Sequence, residues 1–167
     1  VTSTGPKSPE AGRSDAYART LFQAGPAELD ADGIEQRARV RRERQAVLTE
    51  DDPVRIWAVL DEAALRRADR EQLAHLAEMA RTARVTLKMI PFSAGLHAGV
   101  TGGSFTILQF PDEADQDAVY VDTFAGELFV EEPEEVGRFH TAFRHLVGAA
   151  LSPVDTLSLI ANEATSA

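Results

Sequence analysis

Apolar positions recur along the chain with two different periods, and the changes between them mark the elements. Near the start, Tyr17, Leu21 and Phe22 share one helical face, with Ser14 or Asp15 as N-cap and Gly25 as stop. That spacing predicts a short first helix. A second, longer helix is expected between Asp30 and Pro53, where acidic residues lead into Ile34, Ala38, Val47 and Leu48. The run Ile56, Trp57, Val59 and Leu60 is of β type and should end near Asp61, an N-cap for the helix-compatible "EAALRR" that follows. Leu73, Leu76, Ala77 and Ala80 then repeat at helical spacing, which leaves His75 one step off the stripe.

From Val85 the period falls to two. Val85, Leu87 and Met89 alternate with Thr86, Lys88 and Ile90 up to Pro91, and "GSFTILQF", "DAVYVDTF" and "ELFVEE" continue in the same style. Four strands in succession predict an antiparallel meander, with a tight hairpin at Ala125-Gly126. The helical period returns at Pro133, a first-turn proline backed by Glu134 and Glu135, with Val136, Phe139, Phe143, Leu146 and Val147 as its apolar stripe. A last helix, from Ser152-Pro153 to about Asn162, should dock through Leu157 and Ile160. The expected fold is α+β: a curved, mainly antiparallel sheet of about five strands with amphipathic helices packed before and after it. Residues 1–14, rich in Pro, Gly, Ser and Thr, read as a flexible tail, and residues 15–167 as one domain of a length that supports a real core.

Composition narrows the partners. The net charge is -10, so the averaged field repels phosphate backbones and anionic membrane surfaces. The absence of cysteine removes disulfides, thiolate metal sites and a cysteine nucleophile. No apolar leader or membrane-length run is present, and a cytoplasmic location is expected. One basic feature stands out, Arg37, Arg39, Arg41, Arg42 and Arg44, but Glu35 and Glu43 are interleaved with it, which fits a solvated helix face better than an anion site.

Candidate chemistry gathers around the small-residue loop "PFSAGLHAG". His97 sits in that loop, Glu62 at a strand end, and Tyr120 and Asp122 two apart on one strand, where side chains project to the same face. Glu62, His97 and Asp122 are the acid/base candidates; Trp57, Arg66, Phe92, Gly102, Phe105 and Tyr120 are the candidate ligand contacts. Each has a plainer reading. Glu62 caps a helix or pairs with Arg66 or Arg67, a turn histidine bonds local backbone, and turns alone account for Gly102-Gly103. His140 and His145, five apart on one helix, diverge around its surface, and the acidic stretch Asp112 to Asp117 reads as a solvated connector. No metal spacing, phosphate loop or nucleophile elbow is present, so neither metal nor cofactor is expected.

The segments "LDEAALRR", "PFSAGLHAG" and "VYVDT" together resemble the domain of unknown function that follows an Xre-type helix-turn-helix in actinobacterial regulators, a likeness running from about Tyr17 to the last helix. In place of the "LLQT" common there, this chain has "EAGRS", and after Arg67 it lacks a glycine-containing turn, which should reshape the rim beside Glu62. The sequence shows no helix-turn-helix ahead of the resemblance, and two expectations stand: a truncated regulator, or a free-standing member that has lost DNA binding. The resemblance implies the signal-receiving half of a regulator, binding a small molecule or a partner protein in regulation or specialised metabolism such as antibiotic biosynthesis. The alternative is a cofactor-independent enzyme, a cyclase, isomerase or dehydratase of a natural-product pathway, using the same pocket. Charge gives a direct test: fluorescence anisotropy should show no salt-dependent binding to duplex DNA, and tight binding at physiological salt would overturn this reading of the acidic chain.

Overall fold

A computed structural model of the protein describes residues 14, 16, 18, 20, 32, 35, 36, 39, 55–110, 115–123 and 126–166. The first two expected helices fall mostly outside these residues; those described within them, 16, 18, 20, 32, 35, 36 and 39, are helical. Most of the arginine cluster and residues 1–13 of the expected tail also lie outside them. Ser14 is buried, and its amide donates to Gln72 Oε1 at 2.5 Å.

The chain divides into two compact units, one holding the described residues up to Phe92 together with Leu151 onward, the other Ser93–Ala150. In the first, β1 (Ile56–Asp61) leads into α1 (Glu62–Arg66), α2 (Arg70–Arg81) and β2 (Val85–Ile90), and α5 (Pro153–Ser166) completes it. Asp61 caps α1 by accepting from the Ala63 amide at 2.6 Å, and Asp69 caps α2 through the Gln72 amide at 2.8 Å. β1 and β2 are parallel, Ile56 opposite Val85 and Asp61 opposite Ile90. Parallel neighbours need a crossover, and α1 and α2 supply it. Leu65, Leu73, Leu76, Leu87, Met89 and Ile160 form the buried core between sheet and helices. At Met89 the N–H donates to Thr156 Oγ1 (3.0 Å) and the C=O accepts from Leu151 N (2.8 Å), which fastens α5 to β2.

In the second unit, α3 (Ala98–Gly102) precedes β3 (Thr106–Leu108), β4 (Ala118–Thr123) and β5 (Gly126–Val130), and α4 (Pro133–Ala149) follows them. The three strands are antiparallel in the order β3-β4-β5. Thr123 pairs with Gly126 at the expected hairpin, and residues 124 and 125 lie outside the described residues. Val119, Val130 and Val136 make the small core, covered by Ile107, Val121 and the edge-to-face pair Phe105–Phe139, centroids 5.1 Å apart.

Helix and strand are mixed as expected. Among the described residues, however, the five strands fall into a parallel pair and an antiparallel three, so β2 leaves the predicted meander. The cause is the connection between β2 and β3, which holds a 3-10 turn (Phe92–Ala94) and α3, too long for a hairpin link. Among the described residues no helix is long and apolar enough to cross a membrane. Thr156→Val, nearly isosteric, leaves the buried Met89 amide without its acceptor and should cost about 1–3 kcal/mol in urea unfolding; an unchanged midpoint would show that this bond does not hold α5.

Candidate functional site

The predicted site residues are divided between the two units. Glu62, Arg66 and Phe92 come together in the first. Glu62, 7% exposed, receives the Phe92 amide on Oε2 at 2.8 Å and the Arg66 guanidinium on Oε1 at 2.8 Å. Arg66 also reaches Glu163 of α5 at 2.5 Å. The Phe92 amide holds the Glu62 carboxyl below its usual range; burial opposes this, and Arg66 adds to the lowering. A carboxylate with both oxygens engaged by its own fold acts as a clasp between the start of α1 and the end of β2. Trp57 lies exposed on β1, and the Phe92 ring is exposed although its backbone is held.

In the second unit, His97 ends the loop as the N-cap of α3, and its ring bonds local backbone as the plainer reading has it, Nδ1 accepting from the Gly99 amide at 3.3 Å. Gly102 has open space where a Cβ would stand, so nothing there requires glycine for a close approach. Phe105 packs on α4, whereas Tyr120 is buried against Phe129 at 5.3 Å between centroids. Strand alternation puts these two rings on opposite faces of the sheet, since Ile107 pairs with Val119 and Thr106 with Tyr120. They cannot line one side of one pocket. Asp122 lies in β4 opposite Glu127.

A different pair forms the better site. His140 Nε2 on α4 lies 2.8 Å from Asp117 Oδ2, and each side chain is 28% exposed. Gln109 Nε2 donates to the same oxygen at 3.3 Å. Beside them opens a cleft of about 320 Å³, lined by Gln116 and Asp117 ahead of β4 and by Glu131, Pro133, Val136, Gly137 and His140. The β4–β5 hairpin explains the meeting: Val119 pairs with Val130, so the chain entering β4 lies beside the chain leaving β5, where α4 begins. A carboxylate only accepts, so Nε2 carries the proton toward Asp117 and the neutral ring keeps Nδ1 as acceptor. An oriented imidazole with a carboxylate behind it can bind a donor group or take a proton.

Sequence reading assigned His140 to a helix surface and Asp117 to a solvated connector. The signal that could have joined them was the hairpin, which returns the chain to its starting point.

A family model described as Domain of unknown function (DUF5753) matches residues 8–162. No curated protein and no solved structure matches the chain.

The lowered Glu62 value gives a pH test. A carboxyl that titrates lower in the folded state stabilises the fold above its unfolded value, and that contribution is lost as pH falls through the folded one. Glu62→Gln should therefore unfold at lower urea than the wild type near neutral pH, with the two midpoints converging in acid below about pH 4. A constant gap at all pH values would mean that the charge of Glu62 does not clasp the fold.

Proposed function

The chain belongs to the DUF5753 family of domains of unknown function, and from that membership together with the chemistry of the cleft we propose that it is a cytoplasmic recognition module binding a small molecule beside His140 and Asp117. The observation that carries this reading is the oriented imidazole–carboxylate pair, 2.8 Å apart, at a cleft of about 320 Å³. Small-molecule sites are concave, a few hundred Å³ in volume, with a few placed polar groups on an apolar lining. Pro133 and Val136 supply the apolar lining and the pair supplies the polar groups.

Recognition also fits the resemblance to the sensor half of Xre-type regulators, where a change in bound ligand is the signal. A second reading, an acid/base enzyme, draws on the same pair, since a carboxylate-oriented imidazole is a general base. Glu62 and His97 lend that reading little, because the first clasps its own unit and the second caps α3.

Native mass spectrometry of the chain incubated with metabolite extract from its host tests the reading. A small molecule should be captured and returned unaltered, lost in His140→Ala and kept in His145→Ala, an exposed histidine on the same helix. Capture followed by consumption would favour the enzyme. Capture indifferent to His140, or none, would remove this cleft as the site.

A further inference from the structure

We propose that the ligand of this cleft is an organic cation, a protonated amine carrying a small apolar body; the proposal rests on reading the cleft as the recognition site. Asp117 uses Oδ2 for His140 and Gln109, and Oδ1 has no hydrogen-bond partner among the described residues. Glu131 has neither an ion-pair nor a hydrogen-bond partner among them. With His140 Nδ1, these groups make a cleft of acceptors, and such a cleft selects a ligand that donates. Charge points the same way in either protonation state of the ring. His140 and Asp117 sum to one negative charge when the ring is neutral and to zero when it is protonated, and Glu131 adds another negative charge in both cases. The chain's overall field, at -10, reinforces the preference for cations.

The amino end of α4 is the main counterweight, because a helix N-terminus attracts anions. Here Pro133 removes one of the amides, and of the first-turn carboxylates Glu134 is paired with Arg138 at 2.7 Å while Glu135 offsets the helix end. A metal ion is the other cation to weigh. The His140–Asp117 pair gives two donors where protein-bound transition metals take three or more, and no three His, Asp or Glu side chains are grouped for one among the described residues. The remaining lining suits a hydrocarbon body: Pro133 and Val136 are apolar, and a Cβ built on Gly137 would meet nothing within 4 Å.

The test follows the imidazole signals of His140 in the ¹⁵N-labelled full chain during titration with benzylammonium, benzyl alcohol and benzoate, three probes of like shape and different charge. Benzylammonium should give a saturable shift at His140. Its affinity should fall about tenfold in Asp117→Asn and in Glu131→Gln, while Glu78→Gln, which removes the same charge from a residue outside the cleft, leaves it unchanged. Saturation by benzoate or benzyl alcohol in preference would overturn the cationic class and leave the cleft standing as a binding site. Equal loss in Glu78→Gln would reduce the effect to bulk charge and overturn the proposal. If no probe shifts His140 saturably, the proposal fails, and His140-dependent capture from the extract decides separately whether the cleft binds at all.

Discussion

Satisfaction of the buried backbone at Met89 is the constraint on which its unit depends. A two-stranded sheet is too small to stabilise itself, and the buried backbone on the side of β2 away from β1 must find partners elsewhere. Met89 is fully buried; Thr156 takes its N–H and Leu151 gives an N–H to its C=O. Both partners come from the far end of the chain. The outer edge of β2 is therefore satisfied at Met89 by α5 and the residue that leads into it, and Ile160 on that helix joins the same core. Ser152, ahead of α5, accepts from the Asp155 amide at 3.2 Å and donates to the Asp155 carboxylate at 2.6 Å, so the helix start that presents Thr156 is itself fixed. With β2 held in this way its exit is set, and the Phe92 amide meets Glu62. The Glu62 clasp is then a consequence of strand placement, which explains why a buried carboxylate at a strand end has no need of a ligand.

The two histidines show how partner and not sequence setting decides the chemistry of an imidazole. His97, bracketed by glycines, has the look of a site residue, yet its Nδ1 is turned inward onto the Gly99 amide, and a Cβ at Gly99 would lie 3.2 Å from the ring. Any side chain at 99 would crowd the ring that folds back on it. His140 sits in the middle of a regular helix and has no local motif at all. Its carboxylate partner lies 23 positions away and is delivered by a hairpin.

Elements with a strong period or a clear punctuating residue were legible in the sequence. Pro133 opens α4, Asp61 caps α1, Pro91 ends β2, and Val136 and Leu146 are buried as their stripe predicts. Pairing was not, because alternation tells which face a residue takes and nothing about which strand lies beside it. Strand, helices, strand from Ile56 to Ile90 is the order that parallel pairing requires, whereas the later alternating runs drew β2 toward the wrong neighbours. The site was less legible still. Glu62 and Arg66 do meet, as their spacing allows, but as a clasp, and the His140–Asp117 pair has no local signature to read.

Recognition and turnover ask different things of the same cleft. A cyclisation, isomerisation or dehydration begun by a base builds up negative charge on the substrate, and catalysis then needs donors aimed at that charge. The side chains around His140 are of the opposite kind. Asp117 and Glu131 accept, Pro133 and Val136 are apolar, and among the described lining residues the Gln116 amide is the one side chain with N–H groups to give besides the ring itself. Such a lining would raise the energy of an enolate or alkoxide beside it. The lining therefore lends the proposed reading, recognition, more support than it lends base-initiated turnover.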